Sequence, residues 1–329
     1  HATPTYRRTL RAELVDSWDC IVLDGYGSGW ALRECQNILR ARGDDTTALV
    51  YVSHNHEEQL WRSMARTARG ALPRRIALWQ NYLKVRALER TLVRNATLVS
   101  AITDEDARAY SVYAPQVPKV VLTPGYSGEV AAPRSIGPET PRRVALVGSF
   151  RWTVKQENLR RFIACADAVF AAQGIHLDVV GDVPAELRRA LGTLAATTFH
   201  GYVDRPADIL RKARIAVVPE LIGGGFKLKL LDYIFGRVPV ATLGAAAAGL
   251  PPPAKDALLC RDDLPELVRG ICEVIDDLPR LNHMQSAALA GAAAHFDWAA
   301  RGQAFAAAIE RCRTIGAGNA APLAEVFDG

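Results

Sequence analysis

A glycine turn followed by two lysines and a carboxylate is the part of the sequence best suited to chemistry. The apolar segment from Ile215 to Val218 is typical of a strand and runs into this turn, and the residues after it have helical spacing. Glycines at a strand-to-helix turn let an anion approach the backbone, and the helix N-terminus behind them offers unpaired N–H groups. Lysines add fixed positive charge. The pattern predicts a diphosphate-binding site, with a carboxylate one helical turn further on that can accept hydrogen bonds from sugar hydroxyls. The residues of this predicted site are Gly223, Gly224, Gly225, Lys227, Lys229 and Asp232.

Three further glycines follow predicted strands in the same half of the chain: Gly148, Gly181 and Gly201. Short apolar strands that alternate with helices predict a parallel sheet covered on both faces. In such a sheet, ligands bind outside the carboxyl ends of the strands. These glycine turns therefore predict a binding site at that edge of the sheet.

The alternation of strands and helices occurs in two blocks, separated by a stretch rich in proline, glycine and serine. We predict an N-terminal doubly wound domain over residues 1–123, a linker over 124–142, a second doubly wound domain over 143–300, and a C-terminal helix and tail over 301–329. The first block lacks the opening strand and glycine-rich loop that usually begin such a domain. We interpret the chain as lacking N-terminal residues, with a naturally short domain as the alternative.

The composition favours an ordinary globular protein. The 329 residues carry 40 Lys and Arg against 35 Asp and Glu, and no apolar run is long enough to span a bilayer. The six cysteines form no CxxC pair, which argues against a structural zinc site and a disulfide scaffold and favours a reduced, cytoplasmic protein. No group of side chains with the spacing of a metal site stands out, so we expect no bound metal.

Residues 61–94 form an unusually basic stretch, with nine basic side chains and a single acid, Glu89. Tryptophan and leucine side chains alternate with the arginines. A basic amphipathic helix of this kind can lie on an anionic membrane surface. The alternative is a helix whose apolar side packs on its own domain while its arginines are solvated. No nucleic-acid-binding motif accompanies the charge, so we do not expect nucleic acid as a partner.

The glycine turn and its surroundings resemble the donor-site signature of glycosyltransferase family 4. The matching branch reads P, a few residues, GGG-x-K/R-x-K-x-L-E, then P-V-x-T and later G-L, and the corresponding letters here run from Pro219 to Leu250. Two positions differ. Asp232 occupies the position where the family usually has Glu. Arg237 replaces the family's Gly two residues before Pro239, and a glycine, Gly236, lies one position earlier.

Weaker matches in the same order extend the resemblance over most of the chain. They are the segments that contain Gly148 to Trp152 with Asn158, Leu177 to Gly181, Phe199 to Asp204, Phe296 to Trp298, and Ser53 to Glu57. The resemblance implies the α/β GT-B fold, which has two facing Rossmann-like, doubly wound domains with the site in the cleft between them.

The resemblance also implies roles for individual residues. Lys229 and Lys227 are the expected cations that stabilise the departing diphosphate without a metal. His54, at the end of a predicted strand, is expected to contact the transferred sugar or the acceptor hydroxyl. The expected nucleotide-binding residues include Asp232 on the ribose, Gly201 and Tyr202 beside the base, and Arg151 either on the diphosphate or at the surface. The full binding set is Gly148, Arg151, Gly181, Gly201, Tyr202, Gly223, Gly224, Gly225 and Asp232.

The function implied by the resemblance is that of a retaining hexosyltransferase. It would move a sugar from a nucleotide-diphosphate sugar to a saccharide or lipid-linked acceptor in polysaccharide or glycoconjugate biosynthesis, with no cofactor besides the donor. We expect a cytoplasmic protein, with attachment to the inner face of the membrane through residues 61–94 as an additional prediction. The alternatives are a non-catalytic GT-B protein that binds a nucleotide or a partner, and a GT-B epimerase.

Overall fold

The computed structural model describes residues 2–68 and 71–316, with side chains described up to residue 313. The chain divides into two compact units. Unit 1 contains the residues up to Thr123 and those from Ala299 onward, and unit 2 runs from Pro124 to Trp298. Residues 124–142, the predicted linker, lie within unit 2. None of the helices among the described residues has the length and apolar character needed to cross a bilayer.

Unit 1 is built on a parallel sheet whose four strands follow the chain order. The strands are β1 (Cys20–Asp24), β2 (Ala48–Val52), β3 (Leu98–Ala101) and β4 (Lys119–Val121). The inner strands β2 and β3 are almost wholly buried, as expected where helices cover both faces of a sheet. The helices are α1 (Pro4–Glu13), α2 (Leu32–Arg42), α3 (Glu57–Thr67), α4 (Leu72–Asn95) and α5 (Asp104–Tyr113).

The basic stretch, residues 61–94, contains parts of two helices, α3 and α4, where the sequence pattern predicts one. The backbone of Ala68 is extended and ends α3, and Pro73 occupies the first turn of α4. Proline suits a first helical turn because its missing N–H has no partner there in any helix. The prediction of a single helix is therefore wrong in this respect.

Unit 2 contains a six-stranded parallel sheet with the order β10-β9-β8-β5-β6-β7. Its strands are β5 (Arg143–Val147), β6 (His176–Val180), β7 (Thr197–Gly201), β8 (Ile215–Val218), β9 (Val240–Leu243) and β10 (Leu259–Arg261). The helices are α6 (Thr153–Ala172), α7 (Ala185–Leu191), α8 (Pro206–Leu210), α9 (Leu228–Phe235), α10 (Pro252–Asp256), α11 (Leu264–Val274) and α12 (Leu278–Ala292). Helices on both faces give this sheet one continuous apolar core.

The last helix, α13 (Trp298–Gly316), packs on the sheet of unit 1. Its Ala308 and Cys312 are buried in a cluster with Val50 of β2, Leu98 of β3 and Val120 of β4. This apolar contact explains why the residues from Ala299 onward group with unit 1 although they follow unit 2 in the sequence.

The strand order of unit 2 reverses between β5 and β8. After β5 the chain adds β6 and β7 on one side, and then returns to add β8, β9 and β10 on the other. The carboxyl ends of two such neighbouring strands leave a crevice, because their connections lead away in opposite directions. Gly148 follows β5 and Pro219 follows β8, so two segments singled out in the sequence flank this crevice.

Candidate functional site

The crevice at the reversal point is lined by glycine turns and lysines. A Cβ added at Gly148 would lie 3.4 Å from Nζ of Lys229, so the turn after β5 lies next to the lysine on the first turn of α9. Helix α9 begins at Leu228, whereas the helical spacing in the sequence predicts a start at Phe226, directly after the glycine turn. Lys227 is therefore the residue that precedes the helix, and Lys229 lies within its first turn. The structure brings together Gly148 and Lys229, which are far apart in the chain.

A buried carboxylate, that of Glu220, lies two residues after the end of β8, next to this crevice. Oε1 of Glu220 is 2.6 Å from Nζ of Lys155 and 2.8 Å from Nζ of Lys229, and Oε2 is 3.8 Å from Nζ of Lys227. Burial alone would raise the pKa of Glu220, but the lysines outweigh it and hold this pKa at about 2. Burial lowers the pKa of Lys229, while Glu220 opposes that effect. The cluster has a net positive charge, as a phosphate site requires.

Hydrogen bonds fix the loop that carries the glycine turn. The side-chain amide of Asn158 on α6 donates to the carbonyl of Ile222, and its oxygen accepts from the N–H of Ile222. The hydroxyl of buried Tyr233 lies 2.9 Å from the backbone nitrogen of Val147, which ties α9 to the end of β5. Lys227 is buried, and its ammonium donates to the carbonyls of Gly224 and Gly225. The Lys227 side chain therefore braces the glycine turn from within.

The other predicted glycines meet along the same edge of the sheet. The N–H of Gly181 donates to the carbonyl of Gly201, at 2.7 Å. Gly181 has a φ of 126°, and a Cβ placed there would lie 1.8 Å from the carbonyl oxygen of Gly148. Only glycine fits this position. Gly223 and Gly225 also have positive φ, at 131° and 67°.

Asp232 lines a cavity of about 580 Å³ inside unit 2. The lining residues include Tyr126, Val147, Arg205, Asp208 and Tyr233. Partial desolvation raises the pKa of Asp232. A cavity of this size is typical of small-molecule sites. It lies next to the lysine cluster, because Val147 ends the strand before Gly148 and Asp232 follows Lys229 by one helical turn.

Two predicted residues lie apart from the lysine cluster. Nε of Arg151 is 3.0 Å from a carboxylate oxygen of Asp182, and both side chains are largely exposed. Tyr202 is 80% exposed. Among the described residues that line the Asp232 cavity, neither Gly201 nor Tyr202 is found.

His54 lies at the corresponding edge of the sheet in unit 1. Its Nε2 is 2.6 Å from Oδ1 of Asp24, which ends β1, and both side chains are exposed. A carboxylate on one ring nitrogen fixes the orientation of an imidazole and leaves the other nitrogen to act. Gly25 has a φ of 69° and turns the backbone close to the His54 ring. The glycine-rich turn after β1 therefore meets the histidine after β2.

Sequence reasoning missed Glu220 and Lys155. The signal for Glu220 was its position two residues after the buried strand β8, at the edge of the sheet where ligands bind. Lys155 lies within the first turn of α6, the helix that follows β5. Their pairing has no signal in the sequence, because the two residues are 65 positions apart.

Comparisons with known proteins give matches to a segment of unit 2 and to the fold. Residues 141–277, all in unit 2, match the family model described as glycosyl transferases group 1. No curated protein matches the chain.

Among solved structures, a mutant of S. aureus TarM, in complex with fondaparinux, alpha-GlcNAc-glycerol and UDP, has a TM-score of 0.60 at 10% identity, over 80% of this chain and 51% of TarM. HepE of Anabaena in complex with UDP and glucose has a TM-score of 0.65 at 16% identity, over 94% of this chain and 82% of HepE. The trehalose 6-phosphate synthase of Burkholderia multivorans has a TM-score of 0.60 at 13% identity, over 95% of this chain and 78% of the synthase.

The chain spans about half the length of TarM. At these identities the structural likeness concerns the fold, and it confirms the predicted α/β GT-B class with two parallel-sheet units. Family 4 within this class is a finer assignment than these matches make. The lysine cluster and the glycine turns lie inside the segment that is similar to glycosyl transferases of group 1.

Proposed function

We propose that this chain is a glycosyltransferase of the family 4 type, which binds a nucleotide-diphosphate sugar in unit 2 and transfers the sugar with retention to a saccharide or lipid-linked acceptor. The observation that carries the proposal is the lysine cluster around Glu220, which lies between the glycine turns after β5 and β8. Fixed positive charge at the reversal point of a doubly wound sheet suits a diphosphate. The group 1 match over the same residues supports it.

The proposed chemistry places negative charge at this cluster as the reaction proceeds. The bond between the anomeric carbon and the β-phosphate oxygen breaks, and its electron pair leaves with the diphosphate. The acceptor oxygen bonds to the anomeric carbon, and the proton of the acceptor hydroxyl passes to the departing phosphate oxygen or to solvent. Lys229 and Lys155 are held in place before the charge develops, which is the arrangement that lowers a barrier most effectively. Lys227 and the amides of the glycine turn add to the same field. Because these groups supply the charge, we propose that no metal and no further cofactor is needed.

The cavity beside Asp232 is the proposed site for the nucleoside. Its volume of about 580 Å³ is sufficient for a base and a ribose. The Asp232 carboxylate, one helical turn after Lys229, is positioned to accept hydrogen bonds from ribose hydroxyls.

His54 is the proposed contact for the transferred sugar or the acceptor hydroxyl. Its position at the carboxyl end of β2 and its bond to Asp24 support this role. With Nε2 held by the Asp24 carboxylate, Nδ1 is the nitrogen that would act on a substrate.

We expect at least one nucleoside diphosphate to bind the protein in the presence of EDTA, because lysines and backbone N–H groups form the proposed anion site. Calorimetry with UDP, GDP and ADP measures this binding, and UDP comes first because HepE was crystallised with UDP and with UDP-glucose. The matching nucleotide sugar should then be turned over at the same rate with and without EDTA.

The outcomes of this experiment separate the candidate functions. Failure of all three diphosphates to bind contradicts the proposal. Binding without turnover of any donor supports the non-catalytic alternative. Interconversion of the sugar without its transfer supports an epimerase. Turnover that disappears in EDTA and returns with magnesium or manganese contradicts the metal-free mechanism.

The N-terminal half of α4 presents the proposed membrane-contacting surface. Four large apolar side chains at helical spacing are exposed there, with exposed fractions of 66% for Leu72, 49% for Ile76, 41% for Trp79 and 54% for Leu83. Arginines 74 and 75 lie in the first turn and are also exposed. An apolar stripe flanked by arginines complements the apolar boundary and the negative charge of an anionic lipid surface. We propose that α4 binds such a surface peripherally.

Replacement of Arg66, Arg74 and Arg75 by glutamate should abolish binding to vesicles that contain anionic lipid, because the reversed charges repel the surface. Vesicle flotation at increasing salt measures the binding, and the wild type should be released as salt rises. Arg69, which the sequence pattern also favours for this surface, lies outside the described residues and is left unchanged. Absence of wild-type binding at low salt would favour a merely solvated helix.

A matched control reverses the charge of three exposed arginines on α2 and α5, namely Arg33, Arg40 and Arg108. This control changes the net charge by the same amount at another place, so it should bind vesicles like the wild type. Both triple variants should keep the nucleotide affinity of the wild type.

A further inference from the structure

A buried acid in the middle of an anion site is an unexpected feature, because its charge repels the proposed ligand. Glu220 is 6% exposed, and its carboxylate has lysines on both oxygens. The side chains of Lys227 and Lys229 are only 8% and 17% exposed, and that of Lys155 is 36% exposed. Because these ammonium groups are largely buried, a ligand could contact them only in the positions in which Glu220 holds them.

Three ammonium groups in so small a volume destabilise one another. Each repels the others, and those of Lys227 and Lys229 have also lost most of their hydration. A lysine escapes this cost by losing its proton or by turning its flexible chain away. One carboxylate shared by the ammonium groups removes both routes, since it attracts them to one point and offsets part of their charge.

We infer that Glu220 is a positioning residue that keeps Lys155, Lys227 and Lys229 charged, with Lys155 and Lys229 aimed at the anion and Lys227 held behind the glycine turn. The inference rests on the proposed function only for the identity of that anion. With Glu220 ionised, the cluster has three positive charges and one negative charge, so it remains attractive to a diphosphate. Glu220 itself need not touch the ligand.

The other titratable groups near the cluster do not replace Glu220. The hydroxyl of Tyr233 is bonded to the backbone of Val147. Asp232 lies one helical turn beyond Lys229 and lines the neighbouring cavity. Arg151 and Asp182 form their own exposed ion pair.

A competing role predicts the opposite effect. If Glu220 merely occupied the lysines until a phosphate displaced it, its removal would free positive charge and strengthen anion binding at every pH. If Glu220 keeps the lysines charged, its removal weakens binding increasingly as the pH rises, because at least one lysine becomes neutral.

The first test observes the lysines directly. NMR titration of protein labelled at lysine Cε should show at least one of the three lysines in Glu220→Gln with a pKa about one unit or more below its value in the wild type. Unchanged pKa values for all three would overturn the inference. This measurement needs no ligand, so it decides the role of Glu220 even if the proposed function fails.

The second test measures the affinity for UDP between about pH 7 and about pH 9.5, where the phosphates are ionised and an ordinary lysine is mostly charged. Wild-type affinity should be nearly constant over this range, and that of Glu220→Gln should fall about tenfold or more. Affinity in the variant that equals or exceeds the wild-type value at every pH would overturn the inference. Failure of the wild type to bind any nucleoside diphosphate would count against the proposed function instead.

Two further variants separate positioning from folding. The double variant Glu220→Gln with Lys155→Met removes one of the repelling ammonium groups, so its affinity for UDP should again be nearly independent of pH, although weaker. A double variant with the steep pH dependence of Glu220→Gln would contradict the repulsion on which the inference depends. Glu186→Gln on α7 makes the same chemical change at an exposed position, and it should leave both the affinity and its pH profile unchanged.

Discussion

Replacement of Lys229 by alanine is expected to lower the turnover of the sugar donor about a hundredfold or more, the effect typical of removing one preorganised charge stabiliser. The ammonium of Lys229 lies at the turn after β5, where the proposed diphosphate would leave. Its contribution grows as the leaving group gains charge, so the loss should appear mainly in kcat and less in the affinity for the donor. Steady-state kinetics with the donor found by calorimetry measures both.

The variant should remain folded, because Lys155 lies 2.6 Å from both oxygens of Glu220 and leaves that buried carboxylate paired. Lys212→Ala removes an exposed lysine from the same unit and serves as the matched control. Turnover of Lys229→Ala close to that of the control would show that Lys229 does not stabilise the leaving group.

The elements that carry the site follow from local patterns in the sequence. The strand Ile215–Val218 has the predicted bounds, because a continuous apolar run of this length suits a strand buried on both faces. The glycine turn after β8 is also where the pattern places it. The pairing of Lys155 with Glu220 depends on the order of strands in the sheet, and no local pattern contains that order.

The sequence alone also could not explain how Arg237 replaces the glycine of the family signature. Arg237 follows the end of α9 and has a φ of 53°, in the left-handed region that favours glycine. Its Nε donates to the carbonyl of Ala131, at 2.9 Å. Arg237 therefore adopts the backbone conformation that glycine usually takes after a helix, and its hydrogen bond holds Ala131 beside the cavity. The arginine at this position is thus compatible with the end of α9.

The charge pattern of the sequence gives no indication of the role of Glu89. In the sequence it is the lone acid of a basic stretch. In the structure it is fully buried. Its carboxylate accepts hydrogen bonds from the N–H groups of Glu57 and Glu58 at the start of α3, and from the hydroxyl of Tyr110. Glu89 thus caps the helix that follows the His54 turn, although burial raises its pKa to about 7.

This raised pKa predicts how the stability of unit 1 changes with pH. The folded protein binds the Glu89 proton more tightly than the unfolded chain, whose glutamate has a pKa of about 4.5. The stabilisation is therefore complete below pH 4.5 and is lost as the pH rises through 7. At about 1.4 kcal/mol per pKa unit, the free energy of unfolding should fall by about 3 kcal/mol relative to that of Glu89→Gln, which does not titrate.

Urea denaturation of both proteins at several pH values measures this difference. Carboxylates with lowered pKa, such as Glu157 at about 2, contribute equally to both proteins and cancel. Glu105→Gln, on the exposed side of the first turn of α5, makes the same change without burial, so its stability should run parallel to that of the wild type between pH 4.5 and 7. A constant difference between the wild type and Glu89→Gln over this range would show that Glu89 is ionised throughout. In that case the two backbone N–H groups, the tyrosine hydroxyl and the start of α3 stabilise its charge enough to offset the cost of burial.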